Sequence, residues 1–257
     1  MTQDNGSLRV HREGRVGWIE YNRPPRNAFN WEMLGAIRPA VEKHLEDPQV
    51  RVLVFASAVE RYFSVGADVT LLADFDSVAA ARWIDLCHEI VSVLRDSSKP
   101  LLAAIHGTAV GGGLEIVLHC DVRFASPDAR LGQPEINIGF LPPVGATQAY
   151  VRLMSRPRAL RFLYDGALVS ASDALQLGIV DEVVHDPRQA AAEYATKLSL
   201  KSAAALAAIR RSVTKGADLP FEEGLAIERR EAVRLASTFD YREGTRAFVE
   251  KRQPHFT

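Results

Sequence analysis

The sequence has no long apolar run and no excess of charge of either sign. No uninterrupted apolar stretch approaches the roughly 20 residues that a membrane-spanning helix needs, so we expect no membrane partner. Thirty-one Lys and Arg residues against thirty-two Asp and Glu residues leave a formal charge of −1, which gives no electrostatic footprint for nucleic acid. The polar start of the chain lacks the basic and apolar regions of a secretory signal, so we expect a cytoplasmic protein.

Cysteine is nearly absent as well. Cys87 and Cys120 are the only two, and their separation excludes a disulfide framework and a multi-cysteine zinc site, so we expect buried free thiols. The segment that starts at His88 begins like the zinc motif H-E-x-x-H, but serine stands where the second histidine is required. His106 and His119 have no cysteine or carboxylate cluster at metal spacing, so we expect structural or surface histidines and no metal.

The chain does have an ordinary globular composition over 257 residues, 47% apolar and 25% charged, which predicts one large packed domain. In the first half, β-rich runs alternate with helical ones, a pattern typical of βαβ units and an α/β fold. The final part of the chain is rich in alanine and charge, with helical periodicity. The predicted strands are residues 16–21, 52–56, 101–105 and 122–125, and the predicted helices are residues 31–45, 77–94, 190–200, 203–214 and 222–236.

Three consecutive glycines, at positions 111–113, follow a predicted buried strand and precede a helical pattern. Glycines let backbone N–H groups approach a ligand closely, and the start of a helix presents free N–H donors that suit a developing oxyanion. The same glycines also suit tight packing of the helix on the strand. The spacing fits neither the G-x-G-x-x-G dinucleotide fingerprint nor the lysine-containing phosphate loop, so nucleotide binding by those routes is unsupported.

A second loop, residues 62–68, follows another buried strand and contains Gly66. Loops in this position of α/β sheets commonly contact ligands, and the glycine allows a second N–H to reach the same oxygen. Ser64 is not a nucleophile elbow, because the motif G-x-S-x-G requires glycine where the chain has Tyr62.

Two glutamates stand beside apolar neighbours. Glu115 lies one turn into the helix after the glycines, and Glu135 follows in the segment Gly132-Gln133-Pro134-Glu135-Ile136. A carboxylate in such surroundings is costly to bury unless it is paired, hydrogen-bonded or has a raised pKa. Both are therefore candidates for proton transfer, although either one also fits a solvent-facing position on its element.

Together these segments resemble the enoyl-CoA hydratase/isomerase (crotonase) superfamily, nearest to its enoyl-CoA hydratases, over nearly the whole chain. Each segment alone is weak, whereas their order along the chain is highly specific. The matching stretches are Asn22-Arg23-Pro24, Arg26-Asn27-Ala28-Phe29-Asn30, Phe63-Ser64-Val65-Gly66-Ala67-Asp68, Lys99-Pro100, Gly111-Gly112-Gly113-Leu114-Glu115, Cys120-Asp121, Gly132-Gln133-Pro134-Glu135, and Ala247-Phe248-Val249-Glu250-Lys251-Arg252.

The resemblance implies an α/β fold in which a spiral of ββα units, residues 1–187, holds the acyl-CoA site. It implies that residues 188–257 form a helical region that supports oligomerisation and caps coenzyme A. Homotrimers, which often pair into hexamers, are expected. The implied substrate is an acyl-CoA, with no permanently bound cofactor, because coenzyme A arrives as part of the substrate.

By position, the resemblance assigns the two oxyanion-hole N–H donors to Ala67 and Gly112, and the two catalytic carboxylates to Glu115 and Glu135. It also implies contacts with coenzyme A or substrate at ten positions, of which the last two often act from an adjoining subunit. These positions are Arg26, Ala28, Val65, Ala67, Asp68, Val69, Thr70, Gly112, Phe248 and Lys251.

A glutamate at both catalytic positions favours hydration of a 2-enoyl-CoA, because relatives that only isomerise commonly keep just the later one. The alternatives are Δ3,Δ2-enoyl-CoA isomerisation, a specialised hydratase or lyase reaction, and a non-catalytic or RNA-binding relative. In residues 140–147 the chain departs from the family pattern, since Pro143 and Ala146 replace two usual glycines. Proline stiffens this loop, which shapes the acyl pocket and so bears on chain length and on the reaction.

Overall fold

Two β-sheets organise the molecule in a computed structural model that describes residues 3–4 and 6–257. The larger sheet has the strand order β1-β2-β3-β4-β6-β8-β11, and the smaller has the order β10-β9-β7-β5. The strands are β1 (Gln3–Asp4), β2 (Leu8–Glu13), β3 (Val16–Tyr21), β4 (Val52–Ser57), β5 (Tyr62–Ser64), β6 (Leu101–Ile105), β7 (Thr108–Val110), β8 (Val122–Ala125), β9 (Arg130–Gly132), β10 (Leu168–Ser170) and β11 (Glu182–Val183).

Helices follow the strands and fill the C-terminal part of the chain. A 3-10 helix (Pro134–Ile138) lies between β9 and the fifth α-helix. The α-helices are α1 (Trp31–Glu46), α2 (Val69–Leu72), α3 (Ser77–Arg95), α4 (Gly112–Val117), α5 (Ala146–Leu153), α6 (Arg156–Asp165), α7 (Ala171–Gln176), α8 (Pro187–Ser199), α9 (Ala203–Gly216), α10 (Phe221–Ala236) and α11 (Phe239–Val249).

The chain repeats one unit: a strand in the larger sheet, a strand in the smaller sheet, then a helix. The strands β4, β6 and β8 pair in parallel in the larger sheet, and β5, β7 and β9 pair in parallel in the smaller one. Each helical segment returns the chain to the start of the next parallel strand. The expected α/β spiral of ββα units is therefore confirmed.

The core lies on both faces of the larger sheet, which explains why its strands read as continuous apolar runs. All residues of β4 and β6 are buried. One face packs against the buried sides of α1 and α3, including Ile37 and Ile90. The other face packs against Ala191 and Ala195 of α8. Since α8 covers the core sheet, the division at residue 188 stays a prediction about function.

The long helices begin where side-chain caps predict. Asn30 accepts a hydrogen bond from the Met33 N–H at the start of α1, and the Asp76 carboxylate accepts from two backbone N–H groups at the start of α3. The predicted helices of the C-terminal region correspond to α8, α9 and α10. Within the described residues, no helix is both long enough and apolar enough to cross a bilayer.

Candidate active site

The two glycine loops meet at the ends of β5 and β7. Gly66 has φ +75° and Gly111 has φ +54°, values that favour glycine. A side-chain carbon on Gly66 would lie only 2.9 Å from the Gly112 nitrogen and 3.2 Å from the Gly111 Cα. Only glycine therefore allows the two backbones to touch.

Packing explains the third glycine of the run. A side-chain carbon on Gly113 would collide with the Ser64 side chain on β5. The alternative interpretation of the glycines, close packing of a helix on the sheet, is thus true of Gly113. At Gly66 and Gly111, the glycine conformation brings two loops together.

Within the described residues, no backbone hydrogen bond uses the N–H groups of Ala67 and Gly112. A parallel bridge joins Phe29 to Ala67, and its bonds run from the Phe29 N–H to the Gly66 carbonyl (2.7 Å) and from the Asp68 N–H to the Phe29 carbonyl (2.9 Å). These bonds leave the Ala67 N–H out of the bridge. Gly112 is the first residue of α4, where a helical N–H has no acceptor within the helix.

Glu115 lies inside the protein on α4, with no exposed surface. Its Oε2 accepts hydrogen bonds from the N–H groups of Val144 (2.7 Å) and Ala146 (3.2 Å). Its Oε1 is buried and has no hydrogen-bond partner among the described residues. Burial, together with the nearby charge of Glu135, raises the Glu115 pKa well above its usual range. The solvent-facing alternative is excluded for this residue.

Glu135 lies half-buried on the 3-10 helix and faces the glycine loop. A side-chain carbon on Gly111 would lie 2.9 Å from the Glu135 Oε1. Burial raises the pKa of Glu135 to about 7. The two glutamates line the same cavity but differ in burial and in hydrogen-bond partners. Each holds a proton more readily than an exposed carboxylate does.

Gln133 connects Glu135 to the interior. Its amide satisfies both neighbours when the nitrogen faces Glu135, at 3.2 Å from each carboxylate oxygen, and the amide oxygen accepts from the Tyr150 hydroxyl, also at 3.2 Å. Gln133 is 1% exposed and Tyr150 is fully buried. The amide orientation is assigned from these partners, because an ionised carboxylate can only accept hydrogen bonds.

Both glutamates line one cavity of about 220 Å³, together with Ala67 and Gly112. Among the described residues, Asn137 is the only lining side chain besides Glu115 and Glu135 with a carboxylate or amide, and no lysine, arginine or histidine lines the cavity. The remaining wall is largely apolar. Its members from α1 to α3 include Leu34, Leu72, Phe75, Trp83, Ile84 and Cys87.

Of the other predicted contact residues, Val65 and Val69 line the cavity, and the rest do not. Arg26 is exposed, with its guanidinium 5.8 Å from the centre of the Tyr62 ring. Ala28 is half-buried.

Asp68 and Thr70, two further predicted contact residues, lie at the start of α2. Asp68 caps this helix, accepts a hydrogen bond from the Thr70 hydroxyl at 2.7 Å, and pairs with Arg23 at 3.5 Å. In this way Asp68 and Thr70 hold the backbone that follows Ala67, while their own side chains stay outside the cavity lining.

The predicted C-terminal contact residues lie apart from the cavity in this chain. Phe248 is 86% exposed at the end of α11, and Lys251 is exposed just after it. Neither is among the residues that line the cavity. Their role toward coenzyme A stays a prediction.

The proline-containing loop closes around Glu115. Phe140, Pro143 and Val144 line the cavity, and the Val144 and Ala146 amides are the donors to Glu115. On the other side of the loop, His119 Nε2 lies 3.1 Å from the Val144 carbonyl. Burial lowers the His119 pKa to about 4, so the ring is neutral and donates. The loop therefore fixes a carboxylate as well as shaping the pocket.

Sequence reasoning did not assign a role to Gln133 or Tyr150. Gln133 stood inside the motif that identified Glu135, so its position carried a signal. Tyr150 carried none, because its contact with Gln133 joins two separate elements. The expected buried free thiols are confirmed for Cys87 and Cys120, and the described residues contain no cluster of three or more metal-ligating side chains.

Comparison with known proteins gives a consistent result along the chain. A model of the family "Enoyl-CoA hydratase/isomerase" matches residues 11–257. The chain is 35% identical to the 2,3-dehydroadipyl-CoA hydratase of Escherichia coli K12, over 97% of this chain and 98% of that protein. It is 30% identical to the short-chain-enoyl-CoA hydratase of Clostridium acetobutylicum, over 95% of each.

Solved structures agree with the sequence comparisons. An enoyl-CoA hydratase structure from Geobacillus kaustophilus superposes with a TM-score of 0.97 at 29% identity, over 100% of this chain and 98% of that one. Pseudomonas aeruginosa DspI superposes with a TM-score of 0.94 at 34% identity, over 99% and 98%. From the match over almost its full length, the chain is an enzyme that belongs to the enoyl-CoA hydratase/isomerase (crotonase) family.

Proposed function

We propose that this enzyme is an enoyl-CoA hydratase, which adds water across the 2,3 double bond of a 2-enoyl-CoA thioester. One observation carries the proposal: two carboxylates with raised pKa values line the same apolar cavity as Ala67 and Gly112. The hydratase names of its relatives support the same reaction class.

The N–H groups of Ala67 and Gly112 supply the oxyanion hole in this proposal. Attack of water at the β-carbon moves negative charge onto the thioester oxygen, and donors already aimed at that oxygen stabilise the charge without reorganisation. In comparable sites the loss of one donor costs about 3 to 4 kcal/mol. The contact between the loops of Gly66 and Gly111 supports this arrangement, because it brings residues 67 and 112 to the same cavity.

The two glutamates divide the proton transfers. One carboxylate takes a proton from water as the hydroxyl bonds to the β-carbon, and the other gives a proton to the α-carbon. Glu115 Oε2 is already occupied by two N–H donors, which leaves Oε1 for the water. Because the charge of Glu135 raises the pKa of Glu115, we expect the two carboxylates to titrate as a coupled pair.

In this proposal coenzyme A extends out of the apolar cavity, past Ala67 and Val69 of its lining, along Asp68, Thr70, Arg26 and Ala28, which lie outside the lining. Phe248 and Lys251 contact it from an adjoining subunit of a homotrimer, or of a hexamer made of two trimers. Both residues are exposed, and neither lines the cavity of its own chain, which supports this placement. So do the exposed apolar side chains of α9 and α10, such as Ile209, Val213 and Phe221.

The acyl group that fits the cavity has no charge of its own. Burying a carboxylate without a partner is costly, and the cavity lining offers no cationic side chain. The Escherichia coli relative is named for a substrate with a second carboxylate, so the proposed substrate differs from it. An aliphatic 2-enoyl-CoA is therefore the expected substrate.

Isomerisation of a 3-enoyl-CoA is the second candidate. A single group whose pKa is near 7 can both accept and return a proton at neutral pH, and Glu135 has this property. Conversion of 3-enoyl-CoA to 2-enoyl-CoA faster than hydration would favour this reaction.

A substrate panel tests the proposal. Purified protein is mixed with crotonyl-CoA, with longer aliphatic 2-enoyl-CoAs and with 2,3-dehydroadipyl-CoA, and loss of the conjugated absorbance is followed. Hydration of the aliphatic substrates in preference to the dicarboxylic one is the expected result. Acyl-CoA binding without hydration would point to another reaction of the family, and salt-dependent RNA binding without any turnover would point to a non-catalytic relative.

A further inference from the structure

Tyr150 brings a polar group into an otherwise apolar position. It lies on α5 with no exposed surface, and its ring packs against Phe162, with ring centres 5.0 Å apart. A phenylalanine would fill the same space without a hydroxyl to satisfy. The hydroxyl lies 3.2 Å from the Gln133 side chain. The Gln133 amide in turn contacts the carboxylate of Glu135.

The Gln133 amide bridges the phenol and the carboxylate, and its two ends differ. With its nitrogen toward Glu135 it donates to both carboxylate oxygens, and its oxygen accepts from Tyr150. With the amide reversed, its oxygen would face Glu135, which is favourable only when Glu135 carries a proton to donate. The Tyr150 hydroxyl donates in the first case and would have to accept in the second. Because a phenol is a stronger donor than acceptor, its hydrogen bond favours the first orientation, with the nitrogen toward Glu135.

We propose that Tyr150 is a positioning residue for Glu135: its hydroxyl holds the Gln133 amide with the nitrogen toward the carboxylate. The catalytic consequence rests on the proposed hydration, whereas the effect on Glu135 itself does not. Hydrogen bonds to a carboxylate favour its ionised form, so this chain of contacts stabilises the ionised form against the burial that opposes it.

Several titratable groups surround this chain of contacts. Glu115 faces Glu135 from α4, and Arg123 of β8 acts on Tyr150 at longer range. From α3, Cys87 lines the same cavity as a buried thiol with a raised pKa. On α6, which packs against the 3-10 helix, the buried side chains are Ala159 and Phe162, and the charged ones are exposed.

The Tyr150→Phe variant tests the proposal without emptying the core. Its Glu135 pKa, followed by NMR of ¹³C-labelled glutamate and assigned with Glu135→Gln, is expected to rise by about half a unit or more, because donors to the ionised form become disordered. Tyr150→Leu, which also lacks the hydroxyl, is expected to give the same rise. Tyr21→Phe is the control, since the Tyr21 hydroxyl is buried without a hydrogen-bond partner among the described residues.

A double-mutant cycle separates positioning from packing. In the Gln133→Met background, Tyr150→Phe is expected to cause no further rise, because the amide through which the phenol acts is gone. In turnover, Tyr150→Phe is expected to lower kcat by about tenfold with little change in KM, and to move the Glu135 limb of the pH profile to higher pH.

An unchanged Glu135 pKa in Tyr150→Phe and Tyr150→Leu, or a full shift that persists without Gln133, would overturn the proposal. The NMR titration needs no turnover. A wild-type protein that hydrates no enoyl-CoA would therefore contradict the proposed function alone, while the titration still decides the role of Tyr150.

Discussion

Glu115 and Glu135 reach one cavity from regions that hold a carboxylate in different ways. Glu115 is on an α-helix, has no exposed surface, and accepts hydrogen bonds from two backbone N–H groups. Glu135 is on a 3-10 helix, is half-buried, and contacts the side-chain amide of Gln133. Main-chain donors cannot reorient without moving the loop, whereas a side-chain amide depends on the contact that holds it, which for Gln133 is the Tyr150 hydroxyl.

This difference suggests how two chemically identical side chains take separate parts in one reaction. The hydrogen bonds from the Val144 and Ala146 N–H groups to Glu115 Oε2 form a backbone clamp. This clamp leaves Oε1 of Glu115 available in a fixed direction, which suits alignment of a water molecule. The side-chain amide beside Glu135 and the partial exposure of Glu135 suit a group that gains and loses a proton in every cycle.

Removal of either acid is expected to have the largest effect. Glu115→Gln and Glu135→Gln should each lower kcat by about a thousandfold, because each loses one proton transfer. The double variant should be scarcely worse than either single one, since the two act as a unit. Steady-state hydration kinetics measure this, with the exposed Glu46→Gln as control. A full multiplication of the single effects would show that the two carboxylates act independently.

Loss of the Gly112 N–H donor at the start of α4 is expected to have the second largest effect on kcat. Gly112→Pro removes the N–H at a helix position that accepts proline, so kcat should fall by about a hundredfold or more. Gly112→Ala keeps the N–H, and its added carbon would be 3.7 Å from the nearest atoms of Phe29 and Val144, so most activity should remain. Equal losses in the two variants would argue for a steric effect.

The backbone clamp on Glu115 is expected to depend on His119. His119→Phe leaves the Val144 carbonyl without its donor, which loosens the peptide that binds Glu115, so kcat should fall by about tenfold. The control is His88→Phe, because exposed His88 contacts the carbonyl of Pro143 at 2.9 Å in the same loop, and it should lose less than about twofold. A larger effect at His88 would contradict the clamp.

Stability should show the smallest effect, on the Glu135 side. Burial raises its pKa from 4.5 to about 7, so the folded state binds the proton more tightly than the unfolded state. The stability from this proton is full below pH 4.5 and is lost as the pH rises through about 7. A rise of this size corresponds to about 3 kcal/mol for a group shielded from solvent, and the partial exposure of Glu135 reduces the effect. Glu135→Gln should therefore gain about 1 kcal/mol of unfolding free energy over wild type across this range. Urea unfolding at both ends of the range measures the difference, and a gap that does not change with pH would contradict it.

The sequence predicted the larger sheet more fully than the smaller one. The larger sheet was predictable because β4 and β6 are fully buried and read as apolar runs. The smaller sheet was not, since β5, β7, β9 and β10 have three residues each, too few for a periodic pattern.

The site shows the same limit. Glu115 and Glu135 were identified as candidates because carboxylates beside apolar neighbours are unusual and because the order of the family segments along the chain is specific. The links from Tyr150 to Gln133 and from His119 to Val144 depend on tertiary contacts that leave no local pattern. Phe248 and Lys251 were placed by resemblance alone, and a single chain does not bring them to the cavity.

A crystal structure with a short, unreactive acyl-CoA tests the central claim most directly. The account predicts that the thioester oxygen lies about 3 Å from the nitrogens of both Ala67 and Gly112, with the carboxylates of Glu115 and Glu135 facing the α- and β-carbons. A thioester oxygen bound elsewhere, or either carboxylate turned away from those carbons, would contradict it.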